Sequence, residues 1–339
     1  MIVEITQRLL KKENISRQDI SSVIEEILEG KAHTEEIIFF LIALEEKGET
    51  AEEITAAVEV MRRHVVRINT DKQDVLDTCG TGGDKKGTFN ISTAVAFVAA
   101  GCGITVAKHG NRSVSSKCGS ADILEALGVN INIPKERIEK CLNDIGIAFL
   151  FAQNLHPAMK HAMPARKQIG KKTIFNILGP LSNPAGASHQ LIGVYERRWT
   201  PILAEVLYNL GSTHALVVHG EDGLDEISTA SRTFVSELRN KKIENYEITP
   251  EEFGIKRCGP ADLSGGSAEY NANILLMVLK GAHGSYRDVV ILNAAAAIYA
   301  ADKVGSIKEG IDLACKSIDS GEALKKLNLL KECSNGKDS

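Results

Sequence analysis

From residue 1 to about 70, apolar positions recur at intervals of three and four, as in Ile20, Val23, Ile24, Ile27 and Leu28, with no period-two alternation. The stretch predicts helices only. Ser16-x-x-Asp19 and Thr50-x-x-Glu53 have the spacing of N-terminal caps, and Gly48 reads as a stop after the run Glu35 to Lys47. Within that run Ile37 to Leu44 is apolar on nearly every side. Such a helix suits burial inside a lobe or against a second subunit, and the pattern leaves both open.

From Val75 onward the pattern changes. Short apolar runs at Val75 to Cys79, Ile104 to Ala107, Ala148 to Phe151, Gln190 to Tyr195 and Ala215 to Val218 alternate with helical segments. These segments lie at Asn90 to Val98, Ala121 to Leu127, Pro134 to Asn143 and Pro201 to Leu210. The alternation predicts an α/β fold with a mostly parallel central sheet, carrying a small all-helical N-terminal lobe. Thr233 to Leu238 and Lys242 to Thr249 predict an antiparallel pair, followed by helices from Glu269, Asp288, Ser306 and Gly321. The stretch Gly170 to Gly186, with Pro180 and Pro184, reads as loop, and Ser334 to Ser339 as a fraying end.

A chain of 339 residues has room for two lobes. Its net charge of −4 lacks the basic excess that long nucleic-acid or anionic membrane surfaces require, so any polyanion site is local. No apolar run approaches the ~20 residues of a membrane span, and no leader-like start is present. The seven cysteines show no C-x-x-C pair and read as reduced thiols of a cytoplasmic protein.

The chemistry concentrates between Asp77 and Asp122. A strand runs into the glycine-rich Gly80-Thr81-Gly82-Gly83-Asp84-Lys85-Lys86-Gly87-Thr88 and then into a helix, which is the layout of an anion cradle. It is not a Walker loop, since Gly87-Thr88 lacks the lysine, nor a dinucleotide fingerprint, since Lys85 occupies the third glycine position. A second strand ends in Lys108-His109-Gly110-Asn111-Arg112-Ser113-Val114-Ser115-Ser116-Lys117, which adds three cations and several hydroxyls. Further on, Asp225 and Glu226 lie in an acidic loop just after a predicted strand. Paired carboxylates near a polyphosphate suit Mg²⁺, while the same pair alone suits a solvated loop.

Seven segments in order, Asp77 to Asp84, Asn90 to Thr93, Lys108 to Arg112, Gly119 to Asp122, His156 to Lys160, Thr173 to Asn176 and Gly223 to Ser228, resemble the anthranilate phosphoribosyltransferases. The resemblance implies transfer of a phosphoribosyl group from phosphoribosyl pyrophosphate to anthranilate in tryptophan biosynthesis. It implies donor contacts at Gly80, Gly83, Asp84, Thr88, Asn90, Ile91, Ser92, Thr93, Lys108, Ser116 and Ser120. Gly80, Asn111 and Arg166 are the implied acceptor contacts, and Ser92, Asp225 and Glu226 the ligands of two Mg²⁺ ions. Lys108, His109 and Asn111 are implied at the reacting centre, with His109 either a base or a histidine that shapes the pocket. The same resemblance implies a homodimer joined through the helical lobe. That lobe would span 1–72 with part of about 165–188, and the α/β domain 73–339.

The chain departs from the family pattern at Lys172, where arginine is common, and at Gln153, where proline is frequent. Both are expected near the acceptor channel. Two competing readings are a pyrimidine nucleoside phosphorylase and a nucleic-acid-binding relative without transferase activity. The acidic net charge and the Asp225-Glu226 pair speak against the second.

Overall fold

The computed structural model describes residues 1–113 and 118–336. Four helices open the chain: α1 (Ile2–Leu10), α2 (Arg17–Leu28), α3 (Thr34–Lys47) and α4 (Ala51–Arg63). Ser16 Oγ accepts from Asp19 N at 3.1 Å, and Thr50 and Glu53 form a reciprocal capping box. Glu53 does more than cap. It is fully buried, and its carboxylate also accepts from Ile15 N at 2.8 Å and from Lys47 Nζ at 2.8 Å, tying the α1–α2 linker to α4. Gly48 ends α3 at φ 89°, a conformation that favours glycine. On α3, Ile37, Phe40, Leu41 and Leu44 are buried, whereas Phe39 is 66% exposed.

The rest of the chain is β1 (Leu76–Asp77), α5 (Ile91–Gly101), β2 (Val106–Gly110), α6 (Ser120–Ala126), α7 (Lys135–Ile145), β3 (Ile147–Phe151), α8 (Ala152–Leu155), α9 (Met163–Ile169), α10 (Ile174–Leu181), β4 (His189–Gly193), α11 (Trp199–Asn209), β5 (His214–Gly220), β6 (Thr233–Arg239), β7 (Lys242–Ile248), α12 (Ala268–Leu279), α13 (Ser285–Ala300), α14 (Ile307–Asp319) and α15 (Glu322–Ser334). Among the described residues seven strands form one sheet in the order β3-β2-β1-β4-β5-β6-β7. β1 to β5 are mutually parallel, and β6 and β7 are antiparallel additions. Leu216 and Val218 of β5 face one core with α5 and α13, while Ala215 and Val217 face the other with the helical lobe and α11. The period of two thus buries both faces of the sheet.

From β1 the strand order proceeds outward in both directions, to β2 and β3 on one side and to β4 and β5 on the other. Such a reversal opens a crevice at the carboxyl ends of the strands, the usual ligand position in sheets of this kind.

Four expectations need correction. Residues 174–181, expected as loop, form α10: Thr173 N donates to Asn176 Oδ1 at 3.0 Å, and Ile174, Phe175, Ile177, Leu178 and Leu181 are buried. Pro180 forfeits the bond that an N–H at this position would make to Asn176 O, and the burial of the apolar face outweighs that loss. β1 is two residues long because the chain leaves the sheet after Asp77 to enter the glycine loop. The cysteines are not all free thiols, since Cys141 of α7 and Cys333 of α15 are joined, with Cα atoms 6.0 Å apart. Ser334 belongs to α15 and is buried, accepting from Asn130 N at 3.1 Å.

Candidate active site

Three backbone segments meet at the strand-order reversal, and glycine permits each contact. A Cβ on Gly80 would lie 2.8 Å from Gly193 O at the end of β4, and a Cβ on Gly193 would lie 1.6 Å from Asp225 O. Thr81 N donates to Gly193 O at 2.8 Å, and Tyr195 N to Thr81 Oγ1 at 3.2 Å. The loop then turns through Gly82 and Gly83 at φ 64° and 81° and enters α5, whose N-cap is Asn90. Asp84 lies on this loop, Gly83 packs within reach of Lys172, and Thr88 bridges to Ser264.

The acids converge on the same place. Glu226 Oε1 accepts from Ser92 N at 3.1 Å, at the first turn of α5, and Asp225 N points at Asp84 Oδ2 at 3.5 Å. Asp225 and Glu226 are both partly buried. Burial raises the Glu226 carboxyl to about 8, with Asp84 adding repulsion and Lys108 and Ser92 opposing it. The Asp225 carboxyl is also raised well above the usual range, by burial first and then by Asp84 and Glu226. Three mutually repelling hard-oxygen acids at the mouth of an anion cradle are a donor set that fits Mg²⁺ bridged to phosphate.

The second loop is less basic toward the crevice than its sequence implies. Lys108, on β2, is buried with Nζ bonded to Thr78 O at 3.1 Å and His109 O at 3.3 Å. Arg112 pairs with Asp122 and Glu125, so it braces α6. Lys117 and the expected donor residue Ser116 lie outside the described residues. Ser120 Oγ donates to Asn111 O at 3.3 Å, and the exposed Asn111 accepts on Oδ1 from Gln153 Nε2 at 3.3 Å. Of the other donor positions, Ile91 and Thr93 are buried under the helix start, while Thr88, Asn90 and Ser92 retain partial exposure.

His109 and His156 are buried with their Nε2 atoms 3.1 Å apart, so one donates and the other accepts. Burial holds His109 well below the ordinary histidine range, with His156 and Lys108 adding to it, and burial lowers His156 to about 4. Both rings are neutral at pH 7. A histidine whose folded pKa is depressed contributes stability that is present above its unfolded pKa, near 6.5, and is lost as pH falls through the folded value. Asp77 beneath the pair opposes this: burial raises it to about 6, so its contribution is lost as pH rises. The histidine pair by itself therefore contributes acid destabilisation between about pH 6.5 and 4, the His156 share being on the order of 3 kcal/mol, while Asp77, Asp225 and Glu226 gain stability over the same range. As pH falls from 6.5 to 4, the unfolding free energy of His156→Gln should gain on that of wild type by about that amount; an equal change in both would remove His156 as a contributor.

Arg166, on α9, is half-buried over the Phe175 ring at 5.8 Å, and burial lowers its pKa. Among the described residues no carboxylate pairs with it. Lys172, expected near the acceptor channel, packs on the glycine loop and on Tyr195. Its Nζ lies 3.3 Å from the centroid of the Tyr195 ring, its Cε 3.0 Å from where a Gly83 Cβ would be, and Asp225 and Asp84 are among the charges it feels. Gln153 lies beside Asn111, to whose Oδ1 its Nε2 donates.

Two domains described as "Glycosyl transferase family" match the chain, the helical bundle domain over 3–65 and the a/b domain over 72–324. The anthranilate phosphoribosyltransferase of Petrotoga mobilis is 51% identical over 329 residues, covering 97% of this chain and 96% of its own. That of Methanocorpusculum labreanum is 51% identical over 100% of this chain and 99% of its own. The chain belongs to the anthranilate phosphoribosyltransferase family. Among solved structures, the Thermus thermophilus anthranilate phosphoribosyltransferase superposes with a TM-score of 0.93 at 40% identity, covering 98% of this chain and 99% of that one. The Saccharomyces cerevisiae enzyme in complex with PRPP and Mg superposes with a TM-score of 0.89 at 28% identity, covering 98% of each chain.

As a member of that family the chain uses supports that its motifs do not announce. Asn293, fully buried in α13, accepts from Ile227 N at 2.9 Å and donates to Ile227 O at 2.8 Å, fixing the peptide next to Glu226. Asp77 accepts from His109 N at 3.1 Å and from Asn183 Nδ2 at 2.7 Å, locking the ends of β1 and β2 together. The only sequence signal for Asn293 is one amide inside the apolar run Val289 to Ala297. Among the described residues no helix is long and apolar enough to cross a membrane.

Proposed function

We propose that this chain transfers the phosphoribosyl group of phosphoribosyl pyrophosphate to the amine of anthranilate, releasing pyrophosphate, as a step of tryptophan biosynthesis. The observation that carries the reading is the meeting of the Gly80–Asp84 loop with Asp225 and Glu226 at the strand-order reversal. The yeast relatives whose descriptions name PRPP, Mg and 4-fluoroanthranilate support both substrates and the metal.

In this reading the bond from the anomeric carbon to the pyrophosphate oxygen breaks, the bond to the arylamine nitrogen forms, and the nitrogen's proton leaves to solvent. Charge builds on the departing pyrophosphate, so preorganised donors there lower the barrier. The loop's backbone N–H groups with the start of α5 hold the phosphates, and Asn90, Ser92, Thr93 and Ser120 hold ribose and 5-phosphate. Glu226 would serve two Mg²⁺ ions, Asp225 one and Ser92 the other, and the metal would supply charge neutralisation at the phosphates. Lys108, held on two carbonyls, sets the positive potential opposite Glu226. Asn111 and Gly80 border the acceptor, and Arg166 takes its carboxylate. His109 is neutral and occupied with His156, and an arylamine needs no base before attack, so we assign it a shaping role.

The test is anthranilate fluorescence with phosphoribosyl pyrophosphate and Mg²⁺, which should fall as product forms. No loss at any metal concentration, or phosphorolysis of uridine or thymidine instead, removes the reading.

We further propose a cytoplasmic homodimer joined through the helical lobe, taken as 1–72 with part of 165–188, against an α/β domain of 73–339. Val3 and Leu10 on α1 and Phe39 on α3 are exposed large apolar residues of this lobe. Phe39→Glu should yield monomers in equilibrium sedimentation at micromolar concentration. A wild type that is itself monomeric there refutes the dimer.

A further inference from the structure

The glycine loop is held at its far end as well as at β4. Gly265 N donates to Gly87 O at 2.8 Å and Phe89 N to Leu263 O at 3.3 Å, so residues 263–266 run beside residues 87–89 immediately before α12. Asn271, on the first turns of α12, is 2% exposed and uses its whole amide. Its Oδ1 accepts from Gly266 N at 2.7 Å, and its Nδ2 donates to Asn90 Oδ1 at 3.1 Å. Asn90 then passes the contact on, its Nδ2 donating to Cys118 O at 3.2 Å, at the end of the second loop. Asn271 is also within hydrogen-bond reach of the Cys118 thiol.

The polarity of this relay is fixed from one end. Gly266 N can only donate, so Asn271 must present Oδ1 to it and Nδ2 to Asn90. Asn90 must then answer with Oδ1, leaving Nδ2 for Cys118 O. One amide orientation at 271 therefore dictates the orientation at 90 and joins both loops that border the crevice.

We propose that Asn271 is a positioning residue for the phosphoribosyl donor: it sets the rotamer of Asn90 and couples the glycine loop to the loop ending at Cys118. The inference rests on the reading above that Asn90 meets the donor. Asn271→Asp keeps the acceptor for Gly266 N but faces Asn90 Oδ1 with an oxygen. Asn90 must then turn its Nδ2 away from Cys118.

A hydrogen bond between neutral groups is worth a factor of about two to ten in an equilibrium. Asn271→Asp should therefore raise KM for phosphoribosyl pyrophosphate by about that factor, with KM for anthranilate at saturating donor unchanged. In an Asn90→Ala background the same change should add little, because the relay is already cut. Equal losses in both backgrounds, or equal rises in both KM values, would mean that Asn271 merely stabilises α12 and would overturn the proposal. Should Asn271→Asp not fold, Asn271→Ser goes through the same cycle, read by the same outcomes. Calorimetric titration of wild type with phosphoribosyl pyrophosphate and Mg²⁺ separates the two levels. No binding there counts against the assigned site, whereas binding without coupling between 271 and 90 counts against this inference alone.

Discussion

Replacing Asp225 and Glu226 together by alanine is expected to lower kcat by about a thousandfold or more, since a single preorganised group facing developing charge is worth about 10² to 10³. The fold should survive and, without metal, become more stable above neutral pH. Both folded pKa values are raised, that of Glu226 to about 8, so each carboxyl contributes stability only below its unfolded pKa, near 4, and loses it as pH rises through the folded value. At pH 8 the metal-free wild type therefore carries repulsion among Asp84, Asp225 and Glu226 that the variant lacks. Thermal unfolding at pH 8 should show a higher Tm for the variant without metal, and a rise with Mg²⁺ in wild type only. A variant with unchanged turnover would make the acidic loop a solvated one. A lower metal-free Tm at pH 8 would refute the electrostatic account while leaving the catalytic one standing.

How much of this was legible in the sequence depended on whether the determinant was local. The helical lobe and the strand alternation were readable because caps such as Ser16 and Thr50, and the apolar periods themselves, act within one turn or one strand. α10 was misread because Pro180 is a breaker by local rule, and only tertiary burial of Ile174 to Leu181 outweighs it. The site motifs were visible as residue types, but their electrostatics were not. Arg112 was counted as a phosphate cation, yet Asp122 and Glu125 on the following helix claim it. Lys172 was visible as a departure from the family pattern, but its packing on Gly83 and Tyr195 was not. Cys141 and Cys333, 192 residues apart, and the buried amides of Asn271 and Asn293 depend on contacts between distant segments. A single sequence gives such contacts no periodic signature.

Arg166→Ala is expected to cut kcat/KM for anthranilate by about ten- to a hundredfold while leaving KM for phosphoribosyl pyrophosphate nearly unchanged. Anthranilate carries one full charge, its carboxylate, and a guanidinium can hold both oxygens in parallel bonds. Bonds to charged groups contribute about 1.5 to 3 kcal/mol, and about 1.4 kcal/mol corresponds to a factor of ten. The structure gives this arginine the environment such a role needs. It is half-buried against Phe175, its charge is already disfavoured by burial, and among the described residues no carboxylate neutralises it. An incoming carboxylate would relieve that cost, whereas Arg112, already paired with two acids, has nothing comparable to gain. Arg166→Lys should recover only part of the loss, because an ammonium keeps the charge without the fork. Steady-state kinetics varying each substrate in turn decide the matter: an equal defect toward both substrates, or none, takes Arg166 out of the acceptor site.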